Sequence, residues 1–319
     1  MNAKIKILYI AITLFLYSCN DNSQLKIVEL KPSMSIEELS DSTFFKDVDY
    51  ITCDSKNIFA SDVYNGRILK FDLQMNYIES IGSRGNGPEE FTCMGGGIAV
   101  LNDTLYAIDC AGLKTFGTDG KFIRTVKNQN YWIKPNVCCM DESECIYFSI
   151  IDSFPLIKYD KYMNRQFSFG NRRNDSRAAY LLCMFHSEIL SVKEDEPLIS
   201  LFNQQGDMLS TKNFYNDIFK SQVLFKKQEQ EKSTDNNKKV YILFQSMTCF
   251  ENKLYLLYID RESQRPHCNR IVELTFENND FHLTGVYQLR DNWYSAICRI
   301  NNRFVCYSTT NEEFQIYEP

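Results

Sequence analysis

The chain has 319 residues, 44% of them hydrophobic and 24% charged, enough to bury one large core or two ordinary ones. Its formal net charge of −6 offers no broad basic face, which argues against DNA or RNA as a partner.

At the start of the chain, Lys4 and Lys6 precede an apolar run, Ile7 to Leu16, followed by Leu16-Tyr17-Ser18-Cys19. Basic, then apolar, then small is the order of a secretory signal, and the run is too short to span a bilayer as a mature helix. A leucine three before a cysteine and a serine one before it resemble the lipobox of bacterial lipoproteins. That resemblance implies a signal peptide over residues 1–18 and Cys19 as the lipid-bearing first residue of the mature chain. Residues 19–24 would then form a polar tether, and the membrane would be reached through the lipid.

From Leu25 onward, short alternating runs rich in Ile, Tyr, Phe and Val recur between Asn, Asp and Gly turns, an all-β signature. The unit is clearest in NIFASDVYNGRILKFDLQMNYIESIG, where strands at Ile58–Ser61, Ile68–Phe71 and Tyr77–Ile81 flank a turn at Asn65-Gly66. Further copies follow in order, and Asp119-Gly120 supplies the positive-φ hairpin turn of the second. Taking Phe59, Tyr106, Tyr147, Leu190, Tyr255 and Phe304 as the first strand of each copy gives steps of 47, 41, 43, 65 and 49 residues. Four of the five steps match a four-stranded propeller blade. Six copies, the last cut short, predict a six-bladed β-propeller of four-stranded antiparallel blades over residues 25–319, its ring closed by N- and C-terminal strands. The alternating segment Leu25–Leu30 is the strand expected to complete the last blade.

The long fourth step comes from an insertion over 216–240, between blades 4 and 5. Its stretch Lys226–Lys239 is lysine-rich without an apolar pattern, and reads as a solvated loop.

FKDVDYITC, NGRILKFDLQMNYIESIG and RGNGPEEF, behind the lipobox, resemble the bacterial six-bladed β-propeller lipoproteins, a group related to TolB-like and NHL-repeat propellers. The resemblance implies a fold, a location at the cell envelope and a role in binding or sensing there. Glu90 stands where a glycine is common in the family's Gly-Pro turn.

In such a blade the crossover from outermost to next innermost strand lies at the same end of the ring as the turn between the second and third strands. The long loops therefore collect on one face, where a ligand site is expected. Arg84, Glu89, Glu90, Asp62, Tyr64, Trp132, Lys134, Arg172, Arg173 and Trp293 fall on that face. The glycine-rich SRGNGPEEF has no Gly-Lys-Ser/Thr and no helix after it, so it is not a phosphate loop. Adjacent carboxylates on a strand point to opposite faces, so Glu89 and Glu90 do not make an acid/base pair. Arg84 is expected to hold a neighbouring carboxylate or carbonyl, and Phe91 to start the next blade's core.

Twelve cysteines in an exported chain invite a disulfide framework, yet most sit in strand-like runs where cysteine acts as a small buried hydrophobe. One or two disulfides are compatible with that distribution. With no C-x-x-C pair, and His186, His267 and His282 far apart, no metal site is expected. No catalytic residue and no cofactor is assigned. The function expected is a lipid-anchored envelope module that binds or scaffolds a protein, peptide or glycan. The enzymatic alternative is a lactonase-like hydrolase or lyase with a divalent cation in the channel.

Overall fold

The structure, a computed structural model, describes residues 25–40, 44–110, 112–127, 138–150, 153–172, 178–232, 241–261 and 265–319. It contains six sheets arranged as the blades of a propeller. Blade 1 runs through β3 (Val48–Cys53), β4 (Asn57–Asp62), β5 (Arg67–Asp72) and β6 (Tyr77–Ile81). Blade 2 is β7 (Met94–Leu101), β8 (Thr104–Asp109), β9 (Gly112–Gly117) and β10 (Phe122–Lys127). Blade 3 is β11 (Cys138–Met140), β12 (Ile146–Ser149), β13 (Leu156–Tyr159) and β14 (Arg165–Phe169). Blade 4 is β15 (Tyr180–Phe185), β16 (Glu188–Lys193), β17 (Leu198–Phe202) and β18 (Met208–Asn213). Blade 5 is β19 (Phe244–Phe250), β20 (Lys253–Asp260), β21 (His267–Glu277) and β22 (Asp280–Gln288). Blade 6 takes β23 (Tyr294–Ile300), β24 (Arg303–Ser308) and β25 (Glu313–Tyr317) from the C-terminus.

The first strand of each blade is the innermost, because these six strands contact one another in sequence around the ring. Phe59, Tyr106, Tyr147, Leu190, Tyr255 and Phe304 therefore mark the second strand of each blade, one step outward from the position expected. The inner strands carry glycine, as in MGGGIAVL of β7, or polar residues, as in FQSMTCF of β19, and so show less of the alternation that advertises the second strands.

Ring closure follows the expected principle with a different segment. The fourth strand of blade 6 is β2 (Pro32–Ile36), antiparallel to β25 through Met34↔Ile316 and Ile36↔Phe314. The segment Leu25–Leu30 instead supplies β1 (Ile27–Glu29), which lies parallel on β22 as a fifth strand of blade 5. Pro32 suits the first residue of an outer strand, where its missing N–H breaks no ladder. Downstream of β2, Leu39 and Phe45 are buried in the core shared by blades 6 and 1. There Phe45 packs on Phe314 with ring centroids 4.8 Å apart, and Phe71 on Phe314 at 5.3 Å. Burying each such ring contributes roughly 2–3 kcal/mol, so the closure is held by packing as well as by the ladder.

At one end of the ring the turns are short and carry their own closing hydrogen bonds. Asp72 Oδ1 accepts N–H bonds from Gln74 and Asn76, Asp160 from Tyr162 and Asn164, and Asn203 from Gln205 and Asp207. In each, the residue before the last donor has positive φ: Met75 at 67°, Met163 at 61° and Gly206 at 87°. Gly120 at φ 84° performs that service in blade 2, as its sequence predicts. We call this the hairpin end.

The insertion is not a loop throughout. Asp217–Phe219 form a 3₁₀ turn capped by Asn216, and Lys220–Lys232 form the helix α1. Its residues 233–240 lie outside the described residues. Phe219 is fully buried against Phe214, Phe244 and Tyr258, which anchors the helix despite its lack of an apolar stripe.

Candidate functional site

The opposite end, the crossover face, carries the turns between second and third strands and the crossovers between blades. Here side chains reach across to backbone. Asp62, fully buried at the end of β4, accepts the Lys46 N–H at 3.1 Å and the Asn65 side-chain amide at 2.8 Å. It also pairs with Arg67 Nε at 2.9 Å, while Arg67 Nη2 donates to the Phe44 carbonyl. The device recurs. Asp109 Oδ1 accepts the Cys93 N–H at 2.8 Å, and Glu194 Oε2 the Ala179 N–H at 3.2 Å. In each case a carboxylate at or just past the end of the second strand fixes the backbone leading into the first strand of the same blade. An ionised oxygen accepting an amide N–H is a strong hydrogen bond, which suits it to hold a chain lacking a ladder partner.

The crossover SRGNGPEEF is built the same way. Arg84 donates to the carbonyls of Val63 at 3.3 Å and Tyr64 at 2.5 Å, the expected carbonyl grip that ties the crossover to the neighbouring turn. Glu90 folds back over its own loop, its carboxylate accepting the Gly87 N–H at 2.8 Å. A Cβ at Gly85 would stand 2.1 Å from that carboxylate, so the loop requires glycine there unless Glu90 moves. Lys114, buried in β9, donates to the Pro88 carbonyl at 2.9 Å, and Thr125 donates to it at 2.8 Å. Phe91 is buried in the core between blades 1 and 2, as its position suggests.

Over blades 4 and 5, α1 lies across this face. Lys226 Nζ bonds Asp195 Oδ2 at 2.8 Å and its carbonyl at 2.9 Å, with Glu196 at 3.5 Å. Lys193 meets the same two carboxylates. Burial acts most strongly on the Lys193 ammonium and pushes its pKa down, but Glu196 and Asp195 together outweigh it and hold the pKa above the ordinary lysine value. On the blade 5 side Gln222 donates to the Ile242 carbonyl, Tyr258 to the Ile218 carbonyl, and the Arg261 guanidinium stacks 4.2 Å from the centre of the Phe225 ring. Asp260 is paired with Arg270 at 3.2 Å.

The expected site residues thus divide. Asp62, Arg84 and Glu90 are engaged in holding the loops of the face, whereas Glu89, Arg172 and Tyr64, the last 53% exposed, lie at its surface. Lys46 sits 5.4 Å from the centre of the Tyr64 ring. Trp293 is half-buried against the core between blades 5 and 6, and its backbone is held by Thr309 and Thr310. It is a packing residue there. Trp132, Lys134 and Arg173 lie outside the described residues, as does Cys19. Lys114, Asp195, Lys226 and Asp260 are not among the site residues expected from sequence. A buried lysine inside the apolar run GLKTFG was the available signal.

Two thiols also open on this face. Cys93 and Cys110 are both exposed. Burial first, then Asp109 and Cys93, push the Cys110 thiol up to about 11, away from the thiolate form. Among the described residues, no three His, Cys, Asp or Glu side chains converge as a metal site. The disulfide found, Cys183–Cys249, joins β15 to β19, between the inner strands of blades 4 and 5.

A family described as a 6-bladed beta-propeller matches residues 36–279. No curated protein matches the chain. Among solved structures, a Bacteroides fragilis NCTC 9343 protein described as exported aligns with a TM-score of 0.62 at 13% identity, over 94% of this chain and 96% of that one. Virginiamycin B lyase from Staphylococcus aureus aligns at 0.51 and 11% identity, over 84% of this chain and 79% of the lyase. A protein of unknown function from Bacteroides thetaiotaomicron VPI-5482 aligns at 0.55 and 11% identity, over 92% and 74%. At such identities the likeness is one of fold.

Proposed function

The chain belongs to this family of six-bladed β-propellers, and we propose that it is a lipid-anchored binding module of the cell envelope that holds a protein or peptide partner on its crossover face. The observation that carries this reading is the division of labour on that face. Asp62, Glu90, Lys114 and Lys226 are engaged in fixing its loops, which leaves Tyr64, Glu89 and Arg172 on a surface whose shape is set in advance. Pre-set loops bearing an aromatic and both signs of charge suit a polar, peptide-like partner, because little ordering entropy is lost on contact. The basic-apolar-small leader that precedes Cys19 supports the anchor, and the B. fragilis fold relative described as exported is compatible with that location.

The test compares envelope-extract binding by wild type, by a Tyr64→Ala/Glu89→Lys/Arg172→Glu variant of the crossover face, and by Lys121→Glu at the hairpin end, with a glycan array beside it. The reading expects a discrete protein partner lost in the triple variant and retained by Lys121→Glu. Retention by the triple variant overturns it, and a glycan as the only ligand corrects the partner class.

A further inference from the structure

We propose that Cys53 and Cys298 are a site of oxidative modification, forming a second disulfide that closes the propeller ring covalently. Cys53 ends β3, the inner strand of blade 1, and Cys298 lies in β23, the inner strand of blade 6. Their Sγ atoms are 3.8 Å apart and in hydrogen-bond contact although 245 residues separate them in sequence. A disulfide of the same kind exists elsewhere in the ring, where Cys183–Cys249 joins the inner strands of blades 4 and 5. The backbone of the blade 6 to 1 junction is already in place: Ser295 Oγ donates to the Val48 carbonyl at 2.5 Å, tying β23 to β3 away from the thiols. A bonding distance of about 2.05 Å is reached when the sulfurs close by about 1.8 Å from their 3.8 Å separation.

The two thiols are also unequal in a way that orders the chemistry. Cys298 is buried and Cys53 half-buried, so a reagent meets Cys53 first. The Cys298 thiol donates to Cys53 and holds its pKa below the ordinary cysteine value against the opposing effect of burial, while the same contact and burial raise Cys298. With a small disulfide such as oxidised glutathione as oxidant, the Cys53 thiolate attacks one donor sulfur and expels a glutathione thiolate. Cys298 gives its proton to that thiolate and attacks Cys53 Sγ, expelling the second glutathione, which takes up a proton from solvent. Two protein thiols become one disulfide, and the donor disulfide becomes two thiols. The bond would span first and last blades, a far longer loop than the 66 residues bridged by Cys183–Cys249, and would restrict the unfolded chain more.

The test uses full-length protein reduced, then moved to oxidised glutathione, denatured, alkylated and digested without reduction. The expected result is a peptide pair joined through Cys53 and Cys298, with loss of alkylation at both. In Cys53→Ser protein the pair is absent and Cys298 becomes alkylated. Alkylated Cys53 and Cys298 in oxidised wild type, with the Cys183–Cys249 pair intact, would overturn the proposal. If Cys53→Ser does not fold, the wild-type peptide map decides alone.

Discussion

The hairpin end and the crossover face are made from the same strands yet held by different kinds of contact. At the hairpin end Asp72, Asp160 and Asn203 each close their own turn, accepting N–H groups from residues two and four positions later, and the links between neighbouring turns, such as Lys158 to the Gln204 carbonyl and Arg124 to the Lys161 carbonyl, are added to turns already closed. On the crossover face Asp62 reaches back to Lys46, Lys114 to Pro88, and Lys226 to Asp195. The first kind of contact fixes a hairpin and leaves little to vary. The second fixes one loop against another, so those loops can be long, charged and individually altered while the blades stay the same. That separation makes the crossover face the part of the molecule free to specialise.

If the difference is real, matched substitutions at the two ends should not cost the same. Asp62→Ala leaves Arg67 without its carboxylate and frees the strand leading into blade 1, and is expected to destabilise by about 3 kcal/mol in chemical denaturation. Asp72→Ala, at an exposed turn, is expected to cost about 1 kcal/mol. Equal costs would break the comparison.

A smaller and more local effect is expected of Lys226→Glu, which sets a carboxylate against Asp195 and Glu196. Hydrogen exchange should accelerate in α1 by roughly tenfold, equivalent to about 1.4 kcal/mol of local opening, with the six sheets unchanged. Faster exchange throughout the blades would mean that the insertion supports the ring and is not an addition to it.

The smallest effect is one of pH. Burial is the largest single influence on Asp72 and Asp160 and pushes their pKa values up, but the donors around each carboxylate together hold them below the ordinary aspartate value. A lowered folded-state pKa means stability that is complete above the unfolded value near 3.9 and lost as the pH falls through the folded one. Thermal melts should therefore show a modest decline beginning below about pH 4, shallower in Asp72→Asn/Asp160→Asn protein. An unchanged slope in that variant would show that the turn carboxylates do not carry it.

The same distinction explains what was legible in the sequence. The blades were legible because alternation and Asn65-Gly66 or Asp119-Gly120 turns are local signals. Closure was legible as a principle but assigned to the wrong segment. LKIVEL alternates well, whereas PSMSI, which completes blade 6, is polar and starts with proline, and only its place beside β25 makes it a strand. Helix α1 was missed because its docking rests on Phe219 and on Lys226 meeting Asp195, a residue of the preceding blade. Cys183 and Cys249 belong to different blades, so no spacing rule pairs them. Of the candidate site, the face was legible from strand order, and Arg84's grip on a carbonyl from its place in the crossover. The structural roles of Asp62 and Glu90 were not, because the Lys46 and Gly87 groups they hold are main-chain N–H groups that any sequence carries.

The account's central claim, that the crossover face meets the partner and the hairpin end does not, is tested most directly by site-directed photo-crosslinking in intact cells. A photoreactive residue at Glu89 reports on the crossover face, and one at Lys121 on the hairpin end. The account predicts a discrete higher-mass adduct from position 89 and none from position 121. An adduct from position 121 alone, or equal adducts from both, would contradict it.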